Sequence, residues 1–168
     1  MKKIIAILTL AMMLIGLCGC DAIEQIFESD PKTFTEGAFS ITLNEDFKEG
    51  DADTYEGSYA FYESQYVHVM VMHESYEDLG IDEDDYTLDE YIEAIKEANN
   101  RGTASVKKGD GFKFITYSSL EDGETMFYKV AFYKGEEGFY SVSFITPMDN
   151  LDQYGEKFDK WAESVDVG

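Results

Sequence analysis

His68, Met70 and Met72 stand at i, i+2 and i+4. On a strand that spacing puts one imidazole and two thioethers on one face, a soft donor set suited to Cu(I). The same side chains suit plain packing, because methionine fills gaps against a helix. The other histidine, His73, is an odd number of residues from His68, so a regular strand turns the two rings to opposite faces. No partner ligand is identifiable elsewhere. The expectation is no metal and no cofactor, with His68, Met70 and Met72 as the candidate ligands if a metal binds.

Carboxylates are the other abundant chemistry. Asp82, Asp84, Glu90 and Glu93 fall at ligand positions of an EF-hand register, but the glycine that loop needs is Thr87. Asp51-Ala52-Asp53 also lacks a glycine at the right offset. An irregular, weak calcium site is the remaining option, set against the ordinary use of acids before a helix N-terminus. Tyr55, Tyr59, Phe61, Tyr62, Tyr66 and Tyr76 crowd one region and could form a platform for a glycan or peptide; aromatics at strand spacing serve equally as core. Gly109-Asp110-Gly111 has Phe114 where a dinucleotide fingerprint needs glycine, so it reads as a turn. An acyl-transfer triad needs a histidine oriented by an acid beside a nucleophile, but there are 2 His and both sit on one strand, and no hydrolase or phosphate-loop motif is present. No catalytic residue is assigned.

Composition narrows the classes further. The 168 residues suit one domain. Against 13 Lys+Arg stand 35 Asp+Glu, a net charge of −22. Nucleic-acid binding needs a basic footprint and is excluded as a main role. Electrostatic adsorption to an anionic bilayer is excluded on the same ground. The 12 Phe and 12 Tyr argue for a folded core, since acidic disordered chains are poor in aromatics.

The chain opens Met1-Lys2-Lys3, then runs apolar from Ile4 to Leu17. That run is shorter than the ~20 residues of a spanning helix and reads as a secretory signal peptide. Leu17-Cys18-Gly19-Cys20 follows and resembles the bacterial lipobox. The resemblance implies cleavage before Cys20, so residues 1–19 leave as signal, and a diacylglyceryl group (palmitate or a similar chain) on Cys20. Residues 20–32 then form a lipid-anchored tether of about 20 Å root-mean-square reach. With Cys18 removed and Cys20 acylated, no disulfide or thiol chemistry is left. The expected location is the extracytoplasmic face of the cell membrane.

Residues 33–168 must position whatever chemistry exists. Phe39, Ile41 and Leu43 alternate with polar residues as in a half-buried strand. Asn44 to Gly57 reads as a solvated loop, and Ser58–Glu63 and Tyr66–His73 as strands. Thr87-Leu88-Asp89-Glu90 is a capping box that opens a helix with Leu88, Tyr91, Ile92, Ile95 and Ala98 on one face. Asn99-Asn100-Arg101-Gly102 stops it. Thr103–Lys108, Phe112–Leu120, Glu124–Lys134 and Phe139–Thr146 read as strands, with a tight turn at Glu121-Asp122-Gly123. Asn150 is placed to cap a last helix whose stripe is Leu151, Tyr154, Phe158, Trp161 and Val165. Both faces of the middle strands are apolar, which calls for cover on both sides. The expected class is α+β: an antiparallel sheet of about six or seven strands flanked by helices in three layers.

This order of elements resembles the PsbP-like superfamily. Phe39 to Leu43, the paired strands Met126–Tyr133 and Gly138–Ile145, and the closing helix through Phe158-Asp159-Lys160-Trp161 carry the likeness. It implies a non-enzymatic protein-binding or assembly module, with an envelope protein as partner. A small-ligand or metal-binding (Ca or Cu) lipoprotein is the alternative. A concave pocket with convergent polar groups would favour the alternative, and a flat apolar patch would favour a protein partner.

Overall fold

The structure is a computed structural model whose described residues are 30–51 and 57–168. The chain divides into two units, Met1–Asp30 and Pro31–Gly168, and the described secondary structure belongs to the second. Cys20 with its lipobox, Ala52, Asp53 and Tyr55 lie outside the described residues.

The strands are β1 (Pro31–Glu36), β2 (Phe39–Asn44), β3 (Lys48–Glu49), β4 (Ala60–Glu63), β5 (His68–Ser75), β6 (Lys107–Lys108), β7 (Lys113–Glu121), β8 (Glu124–Lys134) and β9 (Gly138–Pro147). The helices are α1 (Tyr76–Leu79), α2 (Leu88–Ala98) and α3 (Leu151–Glu163). Seven strands form one antiparallel sheet in the order β3-β4-β5-β9-β8-β7-β6, while β1 and β2 form a separate hairpin, with Ser40 of β2 also bridged to Asp166 near the C-terminus. The fold is α+β, with long local hairpins at its centre. Asp122 (φ 50) and Gly123 (φ 91) turn β7 into β8, the paired positive angles that match strand twist in a two-residue hairpin.

Alternation assigns the two faces. Val67, Val69, Val71, Ala131, Tyr133, Val142 and Phe144 face α3 and the β1–β2 hairpin. Phe158 and Trp161 of α3 fill that layer, with Phe144 and Phe158 ring centroids 5.5 Å apart. Ile115, Val130, Phe132 and Phe139 face the other way, toward Tyr91 and Ile92 of α2. Residue 87 fixes where α2 begins: the Thr87 hydroxyl accepts from the Glu90 amide at 3.3 Å, and Glu90 accepts from the Thr87 amide at 2.9 Å.

Several expectations are corrected. Pairing begins at Pro31, opposite Asn44, inside the segment read as tether; an edge strand tolerates a residue without an N–H, and Phe34 anchors β1 by packing 4.7 Å from Tyr62. Residues 44–57 are not only loop. They contain β3, and Phe47 is buried edge-on to Trp161 at 5.1 Å. Of 103–108 only Lys107–Lys108 pair, because Ala104 and Val106 turn to the α2 cluster instead. Within the stretch that stops α2, the left-handed residue is Asn100 (φ 56); asparagine is among the few side chains that tolerate that region. Asn150 makes no side-chain cap, since a 3₁₀ turn (Met148–Asn150) runs directly into α3. Its ψ of 0° lies outside the extended geometry in which a cap side chain reaches back.

Cover is also unequal. At 11 residues α2 is about 16 Å long, whereas the 11 residues of β8 extend about 36 Å. One helix of that size roofs only part of its face.

Candidate functional site

The partial roof leaves a cavity of about 290 Å³ under the C-terminal end of α2. Two cross-strand rows make its floor. Met70, Ser143, Val130 and Ile115 form one row; Met72, Ser141 and Phe132 form the next. Ser141 and Ser143 are buried on a central strand whose intervening residues, Val142 and Phe144, belong to the opposite core. Their small polar side chains make the hollow and place two hydroxyls in it. Ile95, Lys96 and Asn99 roof it, and Arg101 with Tyr117 closes one end.

Its charged groups are in different states. Glu74 accepts from the Tyr91 hydroxyl at 2.6 Å. Burial, and then this carboxylate, push the Tyr91 phenol far above its ordinary value. Lys96 is 5% exposed and donates to both oxygens of solvent-facing Glu93 at 2.8 and 2.9 Å; its stem lines the roof while its charge is answered outside. Arg101 stacks on Tyr117, 4.1 Å from the ring centroid, and Tyr117 stacks on Tyr128 at 4.7 Å. Burial raises the Tyr117 phenol, and Arg101 offsets part of that rise. The four side-chain ion pairs between described residues all use lysine, so Arg101 belongs to none.

A second, more apolar hollow of about 360 Å³ lies beside α2, bounded by Leu79, Ile81, Tyr86, Ala94 and Ala98. The two hollows share Glu74 and Ile95.

The residues singled out in the sequence are dispersed. Met70 and Met72 line the cavity. His68, on the same face, lies one row out with its ring edge-on to Phe61 at 5.5 Å and is not part of the lining. His73 faces the opposite core, stacked on Tyr140 at 4.2 Å. Around the acids at 82–86, Lys134 Nζ donates to the carbonyls of Glu83 and Tyr86 at 2.7 and 3.2 Å, filling with an ammonium the place a cation would take. Among the described residues no three His, Cys, Asp or Glu side chains converge as a metal-ligand set. The aromatic platform does not form: Phe61, Tyr62 and Tyr76 are buried, Tyr59 packs on the core, and Tyr66 is left exposed. Alternation sends neighbouring rings to different faces. Arg101 was legible only as part of a helix stop. Ser141 and Ser143 carried the stronger signal, two small polar residues at alternate positions in an otherwise apolar strand.

The sequence matches no protein-family model and no curated protein. Its fold is similar to that of a protein from Bacteroides thetaiotaomicron, with TM-score 0.58, 14% identity, and coverage of 84% of this chain and 49% of that one. It is also similar to cyanobacterial PsbP (CyanoP) from Synechocystis sp. PCC 6803, with TM-score 0.52, 13% identity, and coverage of 84% and 93%. The chain therefore spans about half the length of the Bacteroides protein. At these identities the likeness establishes the fold: an α+β domain of PsbP-like architecture.

Proposed function

We propose that this chain is a lipid-anchored, extracytoplasmic binding module that takes a small ligand into the cavity beneath α2 without transforming it. The observation that carries the reading is the cavity itself, where apolar side chains and a few polar groups converge, the usual composition of a small-molecule site. Its hydroxyls, on Ser141 and Ser143, have no imidazole beside them: His68 packs on Phe61 and His73 lies on the other face. Glu74 is committed to Tyr91. A hydroxyl without a base is a hydrogen-bonding group rather than a nucleophile.

The lipobox supports the anchor. Among the described residues no helix is long and apolar enough to cross a membrane. The net charge of −22 would hold the domain off an anionic bilayer rather than against it. Metabolic labelling with a palmitate analogue should tag the protein, and Cys20→Ser should lose both the tag and the membrane fraction.

Native mass spectrometry of the protein taken from its membrane tests the site. A small-molecule adduct that disappears in Ser143→Phe is the expected result. Absence of any adduct, with one stoichiometric envelope protein recovered by cross-linking, would favour the protein-docking reading. Leu79 and Tyr86, 39% and 40% exposed at the second hollow, are the surface on which that reading would rest.

A further inference from the structure

The geometry points to the ligand's class: we propose that the cavity binds a small amphiphile with a single carboxylate head, held by Arg101, and an apolar body laid over Met70 and Met72. This rests on the small-ligand reading above and assigns its chemistry.

The head follows from Arg101. It is the single arginine of a chain with 35 acidic residues, yet no carboxylate among the described residues pairs with it. Three acids on the surrounding elements have other partners. Glu74 takes the Tyr91 hydroxyl, Glu93 takes Lys96, and Glu121 takes the Tyr128 hydroxyl. The guanidinium is also held in place. It lies over the Tyr117 ring, 4.1 Å from the centroid, the Arg101 amide donates to the Lys96 carbonyl at 2.7 Å, and the Arg101 carbonyl accepts from the Ala104 amide at 2.8 Å. A guanidinium has five N–H donors in a planar fork, so one that also serves Tyr117 keeps donors for a planar acceptor, which a carboxylate matches with two parallel bonds. Arg101 is the one cation of the lining with no carboxylate paired to it, since Lys96 is answered by Glu93 and the lining carboxylate Glu74 is bonded to the neutral Tyr91 hydroxyl. One charge suits a monocarboxylate; a phosphate dianion would need a second free cation.

The body follows from the floor and the roof. Met70, Met72, Ile115, Val130 and Ile95 give an apolar lining, and thioethers adapt to chains of different shape. A second hollow, more apolar still, lies on the other side of the residues it shares with the first, Glu74 and Ile95.

The test uses the full chain carrying Cys20→Ser, with methionine methyl groups labelled for NMR. The probes are decanoate, decanol, decyl phosphate and decyltrimethylammonium, which share a body and differ in head. Decanoate should shift the Met70 and Met72 methyl signals saturably and bind more tightly than the other three. Arg101→Gln should weaken decanoate by roughly tenfold or more, the scale of a lost charge-assisted hydrogen bond, and leave decanol unchanged. Arg101→Lys should fall between, keeping the charge without the fork. Unchanged methyl spectra of the unliganded variants would show that they fold. Equal binding of decanol, tighter binding of the phosphate or the ammonium, or indifference of decanoate to Arg101→Gln would overturn the carboxylate assignment while leaving the site. No methyl shift with any probe at several millimolar would overturn the small-ligand reading as well.

Discussion

His73 and Tyr140 face each other across β5 and β9 and stack at 4.2 Å, and each buries a polar atom, Nε2 and Oη, with no hydrogen-bond partner. Burial lowers the His73 pKa below the ordinary 6.5, with Glu137 and Asp78 opposing part of the shift. Tyr59, edge-on at 5.1 Å, closes the surroundings. The folded state therefore holds a neutral ring that the unfolded chain protonates first. Stability owed to this group is intact above about pH 6.5 and is lost as pH falls from there toward the lower folded value. The urea midpoint should drop more steeply from about pH 7.5 to 5.5 in the wild type than in His73→Gln; parallel slopes would count against it. Two tyrosines separate the worth of a satisfied hydroxyl from that of an orphan. Tyr133 Oη donates to the buried Ala162 carbonyl at 2.7 Å, so Tyr133→Phe should cost about 1–2 kcal/mol. Tyr140→Phe removes a hydroxyl that pairs with nothing and keeps the stacked ring, and it should be neutral or stabilising by up to about 1 kcal/mol. Urea denaturation of both variants decides, and equal losses would refute the distinction.

At the scale of the element, α2 and α3 start in different ways, and their first residues should respond differently. Thr87 caps α2 with its side chain and Asn150 caps nothing. Thr87→Ala should cost about 1 kcal/mol, while Asn150→Ala should stay within about 0.5 kcal/mol of wild type. Because α2 is the cavity roof, Thr87→Ala should also weaken whatever the cavity binds. The capping box was legible in the sequence because it closes within four residues. So were the alternation of β2, β8 and β9 and the turn at Asp122-Gly123, where each signal is local and repeated. β1 was not legible because Phe34 is its one buried residue, too few to show a period. β3 has two residues and shows none. The choice of the β1–β2 hairpin to pair with itself and lie over the sheet is a tertiary fact that no local pattern carries. The cavity is another. Met70, Met72, Ser141 and Ser143 stood in the sequence as residues of one face each, but the hollow exists because α2 is too short to cover the strands beneath it. Arg101 lay in a segment read only for its turn. Nothing local shows that Glu74, Glu93 and Glu121 already have partners.

Across the whole molecule, charge is the largest uncompensated quantity. From residue 31 onward 31 Asp+Glu stand against 11 Lys+Arg, and the described side chains make four ion pairs. Most carboxylates therefore see more like charge than unlike, and the compact state carries a self-repulsion that the expanded chain relieves. Salt acts on that repulsion at short range: the Debye length falls from about 30 Å at 0.01 M to about 10 Å at 0.1 M and about 3 Å at 1 M. Most of the relief should thus arrive by a few tenths molar. The four ion pairs lose little over the same range: Lys96 and Lys129 are buried and poorly screened, and the Lys48–Glu63 and Lys113–Asp89 pairs, each with an exposed partner, are worth only about 0–1 kcal/mol each. Repulsion wins this comparison, so the melting temperature should rise with sodium chloride, steeply at first and then level off. Potassium chloride should give the same curve, because screening depends on ionic strength and not on the cation. The same field acts on a carboxylate approaching Arg101: at low salt the domain repels it, and screening should speed its association even as it weakens the final pair. A melting temperature that stays flat or falls between about 0.01 and 0.3 M salt would mean that the acids are compensated locally.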